Sequence, residues 1–189
     1  EISSMPWIDD SGRQEMPALK ESIELRAINV GRSGAPPLFH ELNFCLRAGE
    51  CVGIRGDSGS GKSTLLSLLN GTEQPDAGQV LADGQAIEIF NSDSVRQRIA
   101  LLPQTGTIFS GTVLENLTMF DSSLDQTALN LSQQLGLDRV VSRMRLGYQT
   151  PLGEGNIETL PAGVRQMISI ARALARTPDV ILFDEANTS

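Results

Sequence analysis

The sequence predicts an α/β fold with a parallel-sheet core, an antiparallel β-subdomain on its N-terminal side and a helical subdomain at about residues 105–160. Three observations predict it. A glycine-rich loop at residues 56–64 stands between a short apolar run and a helical pattern. A second apolar run, at residues 180–183, has the length and composition of a strand buried on both faces of a parallel sheet. Helical patterning dominates residues 113–145 between them.

The first part of the chain reads as strands and turns. Apolar and β-branched residues predict strands at 22–30, 38–46 and 79–82. Asp83-Gly84 is a hairpin signal, and residues 86–89 follow it as a further extended segment. These elements form the predicted antiparallel β-subdomain.

The loop at 56–64 is entered and left by regular structure. Residues 51–54 predict a short buried strand before it, and residues 64–69 a helix after it. Farther on, a short helix at 93–98 leads to a strand at 99–102. The last helix is predicted at 161–176, with Pro161 in its first turn. Its apolar stripe consists of Val164, Met167, Ile168, Ala171 and Leu174.

Composition narrows the class of protein. The 189 residues suit one domain with a sizeable core, and the net charge of −8 argues against non-specific binding of nucleic acid. Cys45 and Cys51 lie in apolar runs, which predicts buried free thiols in a reducing compartment. Neither a signal peptide nor an apolar stretch of about 20 residues is present, so we expect the chain itself to be soluble and cytosolic. Residues 1–20 are polar and contain proline and glycine, which predicts a linker or tether.

The glycine-rich loop predicts a phosphate-binding site, because it satisfies G-x-x-x-x-G-K-[ST]. Glycines let the backbone turn its N–H groups toward phosphate oxygens. Lys62 is expected to reach the β- and γ-phosphates, and the Ser63 hydroxyl to ligate Mg²⁺. The flanking strand and helix patterns disfavour the alternative, a flexible Gly/Ser turn. The predicted nucleotide-binding residues are Gly56, Asp57, Ser58, Gly59, Ser60, Gly61, Lys62, Ser63 and Thr64.

Two carboxylates follow the second apolar run. Asp184 and Glu185 would lie at the carboxyl end of a parallel strand, where open α/β sheets bind ligands. We expect Asp184 to hold Mg²⁺ through water and Glu185 to polarise a water for attack on the γ-phosphate. An acidic pair after a strand is usually a solvated strand end, and the phosphate-binding loop makes the catalytic interpretation the stronger one here.

Taken together, these motifs resemble the nucleotide-binding domain of ATP-binding cassette (ABC) transporters, of the exporter type. The resemblance covers residues 22–189, so we expect this domain at 21–189. Leu-Leu-Pro-Gln at 101–104 is similar to the family's Q-loop, which implies that Gln104 contacts Mg²⁺ and the attacking water. The other matching segments lie at 107–117, 148–155, 166–176 and 184–189.

The resemblance implies a P-loop NTPase core that binds ATP with Mg²⁺ and hydrolyses ATP to drive export. It implies Lys62, Gln104 and Glu185 as catalytic residues, and Ser63, Gln104 and Asp184 around the metal. The implied partners are a second nucleotide-binding domain, identical or different, and a transmembrane domain reached through residues 1–20. The implied location is the cytoplasmic face of the plasma (inner) membrane, and no nucleic acid is expected.

The signature motif departs from the family pattern. Leu-Ser-Gly-Gly-Gln is replaced by Leu-Pro-Ala-Gly-Val at 160–164. Pro161 lacks both the hydroxyl and the N–H that would bind the γ-phosphate of a partner's ATP. Gly163 is retained, and the positive end of the following helix remains available. We expect a slow or asymmetric ATPase, or one that works with a better partner.

The adenine site and the C-terminus also differ from the family. Arg32 stands where the family stacks adenine on an aromatic residue; its guanidinium plane can stack on a base, or it is a solvated turn residue. Phe39 is a second candidate for that stacking, although a core position suits it better. The chain stops at Ser189, before the family's switch histidine, and His40 cannot replace that residue. The resemblance therefore implies a C-terminally truncated domain.

Two other functions remain open at this stage. A degenerate, poorly hydrolysing regulatory cassette would agree with the altered signature, whereas Lys62, Asp184 and Glu185 argue for hydrolysis. A soluble ABC ATPase of nucleic-acid transactions usually carries a long insertion or a second cassette. The sequence contains neither.

Overall fold

The computed structural model describes residues 10–32, 34–102, 106–153 and 160–184. The chain forms two compact units, Glu1–Ile99 and Ala100–Ser189. The first unit is mainly an antiparallel sheet with the phosphate-binding loop and two α-helices. The second is mainly helical.

The sheet of the first unit has four strands in the order β2-β1-β3-β4. They are β1 (Ser22–Arg32), β2 (Ala35–Arg47), β3 (Ala77–Ala82) and β4 (Gln85–Ala86). All neighbours are antiparallel, which confirms the predicted β-subdomain. A short 3₁₀ helix, Ile87–Ile89, replaces the extended segment predicted after the hairpin.

The pairing of β1 with β2 is irregular toward the turn that joins them. The register shifts between Ile28 and Val30 and again between Val30 and Arg32. Such bulges break the strict alternation of side chains between the two faces of a sheet. Consecutive side chains of β2 near the turn can therefore face the same neighbour.

Two helices complete the first unit. Helix α1 (Lys62–Leu69) buries Leu65, Leu66, Leu68 and Leu69. Helix α2 (Ser92–Arg98) is capped by Asn91, whose side chain accepts a hydrogen bond from the Ser94 N–H. The strand β5 (Ile99–Leu102) follows directly.

Two predictions about the segment before the phosphate-binding loop are wrong. Residues 51–54 form no strand, and the side chains of Val52 and Ile54 are 47% and 37% exposed. A strand needs a neighbour for its backbone hydrogen bonds, and none of the described strands of this unit pairs with these residues. Cys45 and Cys51 are exposed rather than buried. Cys45 lies on the solvent-facing side of β2, an edge strand, where apolar neighbours in the sequence do not imply burial.

Residues 10–20 pack against the rest of the first unit. The Gln14 N–H donates to the Ile89 carbonyl at 3.1 Å, and the Asn91 N–H donates to the Gln14 carbonyl at 2.8 Å. The Asp10 carboxylate accepts hydrogen bonds from the backbone and the hydroxyl of Ser92, and Met16 is buried. A polar, proline-containing sequence is thus held in place by backbone and side-chain groups far along the chain.

The helices of the second unit pack around one apolar cluster. They are α3 (Val113–Thr118), α4 (Asp125–Gln134), α5 (Asp138–Val141) and α6 (Ala162–Ala175). The cluster includes Val113, Leu117, Leu137 and Ile168, all less than 1% exposed. Of the predicted stripe on α6, Val164, Ile168 and Ala171 are buried and Met167 packs against them. The short strands β6 (Gly111–Thr112) and β7 (Pro151–Leu152) pair antiparallel beside the helices.

The strand β8 (Val180–Phe183) pairs with β5 in a parallel sheet. Its predicted position is confirmed, but its predicted burial on both faces is wrong. Leu182 is buried, whereas Ile181 and Phe183 are 38% and 56% exposed. Ile181 and Phe183 are two residues apart and therefore share one face of the strand, and in the described structure that face is open to solvent.

The Asp83 carboxylate holds the backbone at the start of β1 by hydrogen bonds. It accepts hydrogen bonds from the N–H groups of Lys20, Glu21 and Ser22 at 2.8–2.9 Å. Partial burial raises the pKa of this carboxyl, but the backbone donors outweigh burial, and its pKa lies below the ordinary value of 3.8. We therefore predict that Asp83→Asn lowers the free energy of unfolding by about 1–2 kcal/mol at pH 7, because one acceptor and the charge are lost.

The measurement is urea unfolding of the chain between pH 7 and pH 3. The matched control is Asp93→Asn, which removes an exposed carboxylate paired with Arg96 and should change stability by less than about 0.5 kcal/mol. A carboxyl whose folded pKa is depressed stabilises the fold above its unfolded pKa and loses that effect as the pH falls. The difference between wild type and Asp83→Asn should therefore shrink below pH 4. A difference that stays constant from pH 7 to pH 3 would contradict this role of the Asp83 charge.

Candidate nucleotide-binding site

The phosphate-binding loop turns on glycines in the left-handed region. Gly59 and Gly61 have φ angles of +78° and +98°, which side chains rarely tolerate. Gly61 immediately precedes α1, and its carbonyl accepts the hydrogen bond from the Leu65 N–H. The positive end of α1 therefore opens at the loop, as anion-binding helices do.

Lys62 lies across this loop. Its Nζ donates to the Gly56 carbonyl at 2.7 Å and to the Asp57 carbonyl at 2.8 Å. The loop residues 51–60 are exposed, so a ligand can reach the lysine and the backbone N–H groups. A flexible ammonium beside glycine-rich backbone fits the charge and shape of a di- or triphosphate.

The side chains of Leu38 and Phe39, on β2, lie against Gly61. A Cβ at this position would lie 2.8 Å from Cζ of Phe39 and 2.9 Å from Cδ1 of Leu38. Both contacts are shorter than real Cβ contacts, so only glycine fits unless the side chains of Leu38 and Phe39 shift. Sequence reasoning placed Phe39 in the core, but its ring is half-buried and lies beside the loop. Consecutive residues of a regular strand face opposite sides, so the irregular register of β2 hid this contact from the sequence.

The other candidate residues lie in the second unit. Asp184 follows β8, is half-buried and donates its N–H to the Leu102 carbonyl at 3.2 Å. Gly163 is exposed in the first turn of α6. Pro161 is the N-cap of α6 rather than a first-turn residue, and its carbonyl accepts from the Val164 and Arg165 N–H groups. Because proline has no side-chain acceptor, it supplies none of the capping bonds that serine provides.

Three predicted residues fall where the structure gives no description. Gln104 and Glu185 lie outside the described residues, and so does the side chain of Arg32. Their roles stay predictions from the sequence. Among the described residues, no group of three or more His, Cys, Asp or Glu is placed to hold a metal ion. A site built on Ser63 and phosphate oxygens would need no such cluster, because Mg²⁺ bound to a nucleotide takes few protein ligands.

A half-buried arginine organises the second unit and was not singled out from the sequence. Arg172 donates from Nε to the Asn116 carbonyl at 2.7 Å and from Nη2 to Asn116 Oδ1 at 3.2 Å. Its guanidinium lies 4.7 Å from the centre of the Phe109 ring, and burial lowers its pKa. The fully buried Asn116 in turn bonds the backbone of Phe109 and Thr112. This network fixes the segment 109–112 to α3 and α6.

Comparison with known proteins places this fold and loop in a family. The family model described as ABC transporter matches residues 39–188. A solved structure of a bacterial Atm1-family ABC exporter with ATP bound has a TM-score of 0.82 and 28% identity, over 95% of this chain and 31% of that chain. The chain therefore belongs to the ABC transporter family. This confirms the predicted family and fold, and the predicted enzyme class, an ABC-type ATPase, is the class of this family.

Curated relatives agree with this assignment. The leukotoxin translocation ATP-binding protein LktB of Mannheimia haemolytica is 32% identical over 191 aligned residues, which cover 100% of this chain and 27% of LktB. The LktB of Bibersteinia trehalosi matches with the same values. The chain thus spans about a quarter of the length of these relatives. Within the described ranges, no helix is both long and apolar enough to cross a membrane.

The packing around Gly61 gives a direct test of the loop. We predict that Gly61→Ala lowers the free energy of unfolding by about 2–4 kcal/mol, since it adds a left-handed alanine and a steric clash with Leu38 and Phe39. The matched control is Gly49→Ala, which has a similar φ of +80° and meets nothing within 4 Å in the described structure. The control should lose only about 1–2 kcal/mol. Equal losses in urea unfolding would show that Leu38 and Phe39 do not confine Gly61.

Proposed function

We propose that this chain binds Mg-ATP and hydrolyses ATP as the nucleotide-binding domain of an ABC exporter. The observation that carries the proposal is the phosphate-binding loop: left-handed Gly59 and Gly61, the exposed Lys62 ammonium and the start of α1 meet at one place. Membership of the ABC transporter family supports the same function.

The residues of the chain divide the chemistry between them. The loop N–H groups and Lys62 bind the phosphates and balance their charge. Ser63, Asp184 and Gln104 are the proposed ligands of Mg²⁺, directly or through water; Mg²⁺ neutralises charge on the β- and γ-phosphates when bound. Glu185 is proposed to accept a proton from the attacking water.

The proposed partners follow from the relatives. One relative is a leukotoxin translocation ATP-binding protein, and one solved structure is that of an exporter with ATP bound. We propose that a second nucleotide-binding domain closes on this one around ATP, and that residues 1–20 connect it to a membrane domain. The proposed location is the cytoplasmic face of the membrane. We propose that the membrane domain binds and selects the transported cargo.

A regulatory cassette is the second candidate, and one observation favours it. Pro161 caps α6 with a backbone carbonyl alone, so the signature turn presents neither a hydroxyl nor an N–H at this position. Losing one charge-assisted donor to a partner's ATP weakens that contact by about 1.5–3 kcal/mol. A cassette of this kind would bind ATP and leave most turnover to its partner.

The first test is turnover of Mg-ATP by the complete parent transporter in lipid. We predict that Glu185→Gln lowers turnover by about 10²–10⁴-fold, the usual contribution of a general base, while ATP remains bound. The matched control is Glu88→Gln, an exposed change in the 3₁₀ helix that should leave turnover unchanged. If Glu185→Gln and wild type turn over ATP equally slowly, the chain is a regulatory cassette and the hydrolytic proposal is wrong.

The second test addresses the signature turn. Pro161→Ser is predicted to raise turnover of the complete transporter several-fold, because it restores a hydroxyl and an N–H at the γ-phosphate contact. Serine also caps α6 and stabilises it by about 1 kcal/mol, so turnover is compared with Pro161→Ala, which restores the N–H alone. Unchanged turnover in Pro161→Ser would contradict the proposal that this proline limits the rate of ATP hydrolysis.

A further inference from the structure

We propose that Gly106 and Arg172 are positioning residues for the signature turn at 160–164, and that they set how strongly this turn contacts the ATP of a second nucleotide-binding domain. The inference rests on the proposed function, in which two such domains close around ATP. It adds the two contacts that determine where α6 lies, and with it the turn at the start of this helix.

The first contact is made by the backbone at Gly106, which lies directly on the first turn of α6. A Cβ at this position would overlap the carbonyl group of Arg165 and lie 2.6 Å from the Gln166 nitrogen. So close an approach between two backbone segments requires glycine. The Arg165 N–H donates to the Pro161 carbonyl at 3.1 Å. Gly106 therefore touches a residue that is itself bonded to the signature turn.

The second contact holds α6 to the same segment at Arg172. This residue lies about two turns, or about 10 Å, beyond Arg165 along the helix. Its guanidinium bonds Asn116 and lies 4.7 Å from the centre of the Phe109 ring. The Asn116 side chain bonds the N–H and the carbonyl of Phe109 at 2.8 and 2.9 Å. One contact would let the helix pivot, whereas two contacts separated along its axis fix both its direction and its rotation.

The placement of α6 matters more in this chain than it would with a serine in the signature turn. A serine hydroxyl can rotate to meet a phosphate oxygen, but Pro161 has neither a hydroxyl nor an N–H. The contact that remains depends on backbone N–H groups, such as that of Gly163, and on the positive end of α6. These groups have no rotamers, so a tilt of the helix changes their distance and angle to the phosphate directly. The residues that hold the helix therefore determine the strength of the contact.

The experiment separates the chain's own ATP site from the contact with a partner's ATP. The affinity of the whole chain for Mg-ATP is measured by calorimetry. In the complete parent transporter, energy transfer between labels on the two nucleotide-binding domains gives the ATP concentration that half-saturates their closure. Closure precedes hydrolysis, so this measurement does not depend on turnover.

Arg172→Met removes the hydrogen bonds to Asn116 and keeps an unbranched side chain that suits a helix. It should raise the half-saturating ATP concentration for closure by about tenfold and change the chain's own affinity for ATP by less than twofold. Arg172→Lys keeps the charge and one donor, so the rise should be only about threefold. Gly106→Ala should act in the same direction as Arg172→Met, because its methyl group displaces α6.

The matched control is Arg139→Met, which changes an exposed arginine on α5 in the same unit and should leave both measurements unchanged. Urea unfolding of each variant shows whether it is folded. Where Arg172→Met is unfolded, Arg172→Lys takes its place.

Closure of the folded Arg172 variant at the wild-type ATP concentration would show that the network is only structural, and would overturn the inference. An equal loss in closure and in the chain's own affinity would also overturn it. A wild type that binds Mg-ATP without closing would overturn both the inference and the proposed partnership. A wild type that does not bind Mg-ATP would instead refute the proposed nucleotide-binding function itself.

Discussion

The absence of a side chain at Gly61 is the constraint on which the first unit depends. Its φ of +98° aligns the loop with α1, and Leu38 and Phe39 fill the space that a Cβ would take. The same glycine therefore shapes the phosphate-binding loop and joins it to β2. Because α1 starts at the next residue and buries four leucines, the position of the loop and the packing of the helix are set together.

The second unit is organised by a polar network rather than by apolar packing alone. Asn116 is fully buried and Arg172 is half-buried. The guanidinium donates to the carbonyl and Oδ1 of Asn116, and the Asn116 side chain bonds the backbone of Phe109 and Thr112. A half-buried guanidinium without these partners would destabilise the fold, so the bonds favour one arrangement of α3 and α6.

The sequence predicted much of the fold and of the candidate site. The G-x-x-x-x-G-K-[ST] spacing located the loop because phosphate binding requires those residue types, and the three strands of the β-subdomain showed in their local patterns. Burial was harder to predict. The apolar runs at 51–54 and 180–183 predicted buried strands. Whether the side chains of such a run are buried depends on which elements pack against it in the folded chain. The sequence predicted a linker at residues 1–20. The contacts that hold residues 10–20, such as that of Gln14 with Asn91, join residues more than 70 positions apart, and a local pattern does not show such contacts.

By itself, the sequence predicted the chemistry that we propose for this protein, from a glycine-rich loop of the phosphate-binding pattern, acidic residues after an apolar strand, and a signature turn without serine. Those features are local, since a few consecutive residues carry the required donors, acceptors and backbone freedom. Only the tertiary structure decided that Phe39 lies against Gly61, that Asp83 binds the backbone at the start of β1 and that Arg172 donates to Asn116. The physical reason is that each of these contacts joins segments distant in the chain, and their geometry depends on strand register and helix packing rather than on local preference.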